Sequence, residues 1–187
     1  MRIIGGEFGG RKINPPNKMP YTRPTTDLAK EGLFNILQNH LDFEGTKTLD
    51  LFGGTGSITY ELASRGATDL SIIEKDQAMF QFIKEHVQKL GIQNCQVYKM
   101  DVFRFMETTT DKYDFIFAGP PYALTTINQI PVMVMEKQLI APNGIFVLEH
   151  TPRNNYEGYK GFFKQRNYGT TIFSFFQNES EVTSSDE

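Results

Sequence analysis

Two short stretches of this 187-residue chain carry residue types at spacings that could bind a nucleotide-like ligand and act beside it. The first is Asp50-Leu-Phe-Gly-Gly-Thr-Gly-Ser57, which brings Asp50, Phe52, Gly53, Gly54, Thr55 and Gly56 into one loop. Glycines at 53, 54 and 56 permit a tight turn and the close approach of a ligand. A helix beginning at Ser57 would add unpaired N–H groups. Glu74 follows Gly54 by 20 residues, where nucleotide-binding α/β folds place a carboxylate that accepts from ribose hydroxyls. The plain alternatives are a tight turn without a ligand and a solvated strand end. The loop is not the dinucleotide fingerprint, because Ser57–Tyr60 offers no glycine to complete G-x-G-x-x-G, so a pyrophosphate cradle is poorly supported. The second stretch is Phe117-Ala-Gly-Pro-Pro-Tyr122. Consecutive prolines fix their φ angles and remove two donors, which leaves carbonyl acceptors beside an aromatic ring; a merely stiffened loop would look the same.

Such loops need a scaffold that presents them on one side. Thr48–Phe52, Leu70–Glu74, Gln96–Met100, Tyr113–Ala118 and Gly144–Glu149 read as strands. Helices are expected over Ser57–Arg65, over Gln77–Leu90 with Gly91 closing it, and over Ile127–Leu139. Phe162–Arg166 and Thr170–Phe176 read as a hairpin turned at Tyr168-Gly169. This alternation predicts an α/β fold, a doubly wound and mostly parallel Rossmann-like sheet covered on both faces. Ligands bind such sheets beyond the carboxyl ends of the strands, and both stretches follow strands. Upstream, Arg2-Ile-Ile and Arg11-Lys-Ile flank Gly5, Gly6, Gly9 and Gly10, the pattern of an N-terminal β-hairpin extension. A Pro-rich connector follows, and a helix starts near Thr25 or Thr26 with Leu28, Leu33, Phe34, Ile36 and Leu37 on its apolar face. The expected organisation is a basic extension over 1–24, a main domain over 25–178 and a disordered acidic tail over 179–187.

Asp50 and Phe52 ahead of Gly54 and Gly56 resemble the D-x-F-x-G-x-G form of S-adenosylmethionine-dependent methyltransferases. That resemblance implies that the loop lies against the methionine and ribose, that Glu74 binds the ribose, and that Asp101 in Met100-Asp101-Val102 accepts from the adenine amine. Asp101 could equally cap the helix that follows. Amino-group methyltransferases carry (Asp/Asn/Ser)-Pro-Pro-(Tyr/Phe/Trp) after the fourth strand, where Pro120, Pro121 and Tyr122 stand here. An exocyclic base amine is a poor nucleophile because its lone pair is delocalised; acceptors on its N–H groups and a stacked ring position it for in-line attack. More specifically, Met1-Arg-Ile-Ile-Gly-Gly, Thr22-Arg-Pro-Thr-Thr-Asp27, Leu33-Phe-Asn-Ile-Leu37, Ser64-Arg-Gly-Ala67, Glu74-Lys75-Asp76, Pro-Pro-Tyr122 and Tyr168-Gly169 resemble, in order, the bacterial 16S rRNA guanine-N2 methyltransferase family. The resemblance spans residues 1–176 and implies S-adenosylmethionine as methyl donor, S-adenosylhomocysteine as product, and the small ribosomal subunit or its assembly intermediate as partner. It also implies a substrate-side role for Arg23. One position departs from it: Gly119 stands where the family has Asp, so the side-chain acceptor for the amine is missing. Another group or a water substitutes, or the protein methylates slowly, or this chain carries a substitution. If the position is empty, Gly119→Asp should raise the rate.

Charge points the same way without deciding. The formal net charge is −3, and omitting Glu179, Glu181, Asp186 and Glu187 makes it +1. Arg2, Arg11, Lys12, Lys18 and Arg23 oppose only Glu7 in the opening, and Arg153, Lys160, Lys164 and Arg166 oppose Glu157. An anion-binding face that contacts RNA phosphates through Arg2, Arg11, Lys12, Arg23 and Thr25 is one reading, solvated surface charge the other. The single cysteine, Cys95, excludes an internal disulfide and a CxxC site, and it lies outside both motifs. His40, His86 and His150 lack metal-ligand spacing, so no metal is expected; His86 is expected on a solvated helix face. Phe162, Phe163, Phe173, Phe175 and Phe176 alternate as core positions rather than base-stacking ones. No apolar run approaches the roughly 18 residues of a membrane span, and a cytoplasmic monomer is expected. Competing functions are a DNA amino-methyltransferase, which would usually need a larger target-recognition region, and a non-catalytic RNA-binding protein that keeps the cofactor fold. A nicotinamide oxidoreductase fits least.

Overall fold

The computed structural model describes residues 1–19 and 24–179; Arg23 and the tail from 180 to 187 lie outside the described residues. The alternation forms as expected: α1 (Asp27–Leu37), β1 (Lys47–Leu51), α2 (Ser57–Ser64), β2 (Asp69–Ile73), α3 (Gln77–Leu90), β3 (Cys95–Tyr98), α4 (Val102–Thr108), β4 (Tyr113–Ala118), α5 (Gln129–Glu136), β5 (Ile140–His150), β6 (Phe162–Tyr168) and β7 (Thr171–Phe176). The seven strands form one sheet in the order β3-β2-β1-β4-β5-β7-β6. β1 pairs in parallel with β2 on one side and β4 on the other, with Asp50 opposite both Ile72 and Phe117. After β3 the chain returns across β1 to build β4, so the loops after β1 and β4 emerge side by side at the switch point. β7 is antiparallel to both β5 and β6.

Two apolar layers cover the sheet. Leu49, Leu51, Ile116, Phe146, Leu148 and Phe176 face α4 and α5, while Phe115, Phe117, Val147, Phe173 and Phe175 face α1 and α2. The fully buried Phe173, Phe175 and Phe176 are core residues, as their alternation implies. α3 ends on Gly91 in the left-handed conformation, φ 69°, and α5 is shorter than its apolar pattern suggests.

The opening is a minimal hairpin rather than two strands. Its one antiparallel bridge joins Arg2 and Lys12, with Ile3 N–H donating to the Arg11 carbonyl (2.9 Å) and Gly10 N–H to that of Ile3 (2.8 Å). Ile3, Phe8 and Ile13 anchor it in a small core with Tyr60, Met79 and Phe82. His86, expected in solvent, is half-buried and stacks on Phe82 at 4.0 Å. On α1, Leu28 is 71% exposed while Lys30 is 1% exposed, the reverse of the apolar pattern. Lys30 is held there by the Arg2 carbonyl (2.6 Å), Ser57 Oγ (3.1 Å) and Glu61 (3.4 Å). Glu61 in turn accepts from the N–H groups of Ile4 and Gly5 and from Arg65. Burial alone would push the Glu61 carboxyl up, but those donors and the Lys30 charge together hold it below its ordinary range. Burial lowers the Lys30 ammonium against the pull of Glu61.

Candidate active site

The glycine loop is shaped by contacts a side chain would destroy. A Cβ on Gly53 would lie 2.3 Å from Ile72 Cγ2, and Gly56, the N-cap of α2, has φ 81°. Gly53 N–H donates to the Ile73 carbonyl (2.8 Å), tying the loop to the end of β2. Phe52 holds the left-handed conformation at φ 62°, uncommon for a bulky residue and costing on the order of 1–3 kcal/mol. This turn leads Gly54 to Glu74, whose carboxylate accepts from the N–H groups of Gly54 (2.7 Å) and Asp76 (2.9 Å). Burial raises the Glu74 carboxyl above its ordinary value despite those bonds. An acceptor partly withdrawn from water, with lone pairs beyond those two bonds, suits hydroxyl donors.

A cavity of about 410 Å³ opens at the carboxyl ends of the strands, within the range of small-molecule sites. Phe52, Gly54, Glu74, Lys75, Asp101, Val102, Gly119, Pro120, Pro121 and Tyr122 all line it. The two stretches, 63 residues apart between Gly56 and Gly119 in sequence, are thus walls of one space. Asp101 does cap α4: its Oδ1 accepts from Phe103 (2.9 Å) and Arg104 (3.2 Å). The capping and ligand roles are compatible, because both bonds use one oxygen and Asp101 is exposed at the cavity edge. The remaining loop residues sit behind the wall. Asp50, Gly53 and Thr55 line a cleft of about 40 Å³ next to the cavity, and Gly56 lines neither. Asp50 is buried, accepts from Thr59 (2.9 Å), and is pushed well above the carboxylate range by burial; its contacts hold α2 against β1. Thr55 is also buried, with its hydroxyl on Met1 Sδ at 3.4 Å.

Beside Gly119, where the sequence leaves open whether another group stands in for the missing side chain, the structure sets an acid. A Cβ there would lie 3.3 Å from Glu149 Oε2 and 3.1 Å from Phe117 Cε1. Glu149 ends β5 and lines both the cavity and the cleft. Sequence reading missed it; the available signal was an acid in phase with Ile145 and Val147, whose side chains enter the core. Thr25 differs from its expected role too. It is buried, donates to Glu149 Oε2 at 2.6 Å, and leaves the capping of α1 to Thr26. A surface contact to RNA is therefore not available to it. Arg11 and Lys12 are exposed on the opening, Arg11 over the Phe8 ring at 4.9 Å, while Arg2 pairs with Asp27 at 3.6 Å. Burial pushes the Cys95 thiol up to about 12, so it is no thiolate near neutrality. Among the described residues, no helix is long and apolar enough to cross a membrane.

Comparison with known proteins agrees with this architecture. YlbH of Bacillus subtilis is 31% identical over 154 residues, covering 80% of this chain and 82% of the relative. The protein named Ribosomal RNA small subunit methyltransferase D in Escherichia coli K12 is 29% identical over 154 residues, covering 82% of this chain and 76% of the relative. The solved structure of yhhF from Escherichia coli superposes with a TM-score of 0.82 at 25% identity, covering 96% of this chain and 98% of that one. The model of the family described as Conserved hypothetical protein 95 matches residues 1–177, through the hairpin, the glycine loop and the Pro-Pro-Tyr loop alike, and the chain belongs to that family.

Proposed function

We propose that this chain is an S-adenosylmethionine-dependent methyltransferase acting on the exocyclic N2 amine of a guanine in 16S rRNA, in the small ribosomal subunit or an assembly intermediate, as a cytoplasmic monomer. The observation that carries the proposal is the single cavity walled by Gly54, Glu74 and Asp101 on one side and Gly119-Pro-Pro-Tyr122 on the other. A donor site and an amine-positioning loop are useful together only if a group passes between them. The name of the Escherichia coli relative supports ribosomal RNA as the substrate class.

The residues present fit the donor. Glu74 would accept from the ribose hydroxyls, Asp101 from the adenine amine, and Val102 and Phe103 would flank the ring; when bound, S-adenosylmethionine supplies an electrophilic methyl group. On the other wall the Pro120 carbonyl would accept one amine proton. Tyr122, 44% exposed at the mouth, would stack on the target base. These groups orient rather than react, and positioning of this kind accounts for several kcal/mol of a transfer barrier, about 7–11 in the best cases. Arg11 and Lys12 would neutralise phosphates.

The test is transfer of labelled methyl to small subunits lacking the modification, followed by nucleoside analysis. Label in N2-methylguanosine is expected; label in another nucleoside, or none, would overturn the assignment.

A further inference from the structure

We propose that Tyr156 is a positioning residue for the transfer: its hydroxyl, acting through Asn128, holds the loop that carries Pro120 and Tyr122 in place against the target base. This rests on the methyl-transfer reading above. The loop leaves β4 after Ala118 and reaches α5 at Gln129. Near its start, Leu124 N–H donates to the Pro121 carbonyl at 3.0 Å, which closes a turn over Tyr122 and Ala123; the Pro120 carbonyl is the one this turn does not use. At its end stands Asn128, the N-cap of α5. An asparagine at an N-cap ordinarily turns its side chain to the first N–H groups of its own helix, and this one makes no such bond. Its Oδ1 accepts instead from the Tyr156 hydroxyl at 2.9 Å and, more weakly, from Asn154 Nδ2 at 3.4 Å.

Tyr156 is a fixed post. It is fully buried although it belongs to the irregular segment 151–161 between β5 and β6. Its ring meets His150 edge-on at 4.8 Å and Tyr159 at 4.9 Å. His150 is held in turn by the Thr151 carbonyl at Nδ1 (2.9 Å) and by Ser174 Oγ at Nε2 (2.7 Å). The carbonyl assigns the proton to Nδ1, so Nε2 accepts from the Ser174 hydroxyl. Burial lowers the His150 imidazole, which keeps it neutral in this arrangement, and burial raises the Tyr156 phenol, which keeps its proton to donate. Ser174 on β7, His150 on β5 and Tyr156 thus connect the sheet to the loop. Leu124 and Ile127 of the loop pack on the same apolar cluster as Tyr156, and Leu124 also lines the cavity. A transfer that depends on positioning is sensitive to such a brace, since a misplacement of about 1 Å costs on the order of 100-fold.

The experiment uses the full chain and unmethylated small subunits under single-turnover conditions. Tyr156→Phe keeps the buried ring, removes the hydroxyl, and should slow transfer by about tenfold, a part of the cost of a full misplacement. Its S-adenosylhomocysteine affinity by calorimetry should stay close to wild type, because Gly54, Glu74 and Asp101 stand on other loops. Asn128→Leu, at an exposed position whose side chain caps nothing, should slow transfer equally. Asn128→Asp keeps the acceptor and should stay within about threefold of wild type. The double variant of Tyr156→Phe and Asn128→Leu should be no slower than either single one, because both break the same bond. A merely structural role predicts a lower melting temperature with an unchanged rate in the folded protein. Tyr156→Phe or Asn128→Leu within about threefold of wild type, Asn128→Asp as slow as Asn128→Leu, or a double variant whose losses multiply, overturns the assignment. A wild-type chain that transfers no label to guanine overturns the functional reading itself, and this role with it.

Discussion

Replacing Glu61 with alanine removes the acceptor on which the opening of the chain hangs. Ile4 N–H (2.8 Å), Gly5 N–H (3.0 Å) and Arg65 Nε (3.0 Å) donate to it, and Lys30 Nζ lies at 3.4 Å. In Glu61→Ala the Lys30 ammonium, 1% exposed, keeps its bonds to the Arg2 carbonyl and Ser57 but loses its counter-charge. Breaking a buried pair by removing one partner costs about 3–5 kcal/mol, and two orphaned backbone donors place the loss at the upper end of that range. Out of a total stability of about 5–15 kcal/mol this is a large fraction. Urea titration should show a lower midpoint, and hydrogen exchange should show Ile3, Gly10 and Ile13 losing protection first. Lys30→Met should cost less, because Glu61 keeps both backbone donors and Arg65. The carboxyl is held below its ordinary 4.5 when folded. Its contribution is therefore complete above about pH 5 and is lost as pH falls through the lowered folded value; Glu61→Ala should flatten that acid limb. A midpoint shift equivalent to less than about 1 kcal/mol would refute the view that this buried pair holds the opening in place.

Three further outcomes are expected. Glu74→Gln should weaken S-adenosylmethionine by about 1–3 kcal/mol by calorimetry; because burial raises the Glu74 carboxyl, wild-type affinity should begin to fall at a pH above 4.5, and the variant should lack that limb. Gly53→Ala drives a methyl to 2.3 Å from Ile72 Cγ2 and should lower stability by about 1–3 kcal/mol in thermal melting. Arg11→Glu with Lys12→Glu should weaken small-subunit RNA binding and reduce its salt slope by about 2, without changing S-adenosylmethionine affinity. Charge reversal is the cleaner probe than removing residues 1–22, since that deletion would strip Ile3, Phe8 and Ile13 from the core around Tyr60, Met79 and Phe82.

Much of this architecture is legible in one dimension because its signals are local. Period-2 and period-3.6 apolar runs, Gly91 after α3, the glycines after β1 and the paired prolines after β4 act through neighbours in the chain, and the motif-level resemblance reaches the same family. Spacing alone also singles out Glu74 as a neighbour of the glycine loop, where it lines the cavity, since a β-α-β unit fixes the separation between the loop after its first strand and the end of its second. What depends on contacts far apart in sequence was not legible. Nothing near Lys30 in sequence marks it as buried, because the Glu61 carboxylate that holds it stands 31 residues later. Thr25 reads as a surface cap or an RNA contact until β5 brings Glu149 to its hydroxyl across 124 residues. Asp50 and Thr55 belong to the motif but sit behind the cavity wall, because strand alternation turns Asp50 toward α2. Gly119 is the sharpest case. From its neighbours it is a missing carboxylate, and only the parallel register of β4 on β5 reveals an acid beside it, because a sheet places side by side residues whose sequence separation carries no mark of their contact.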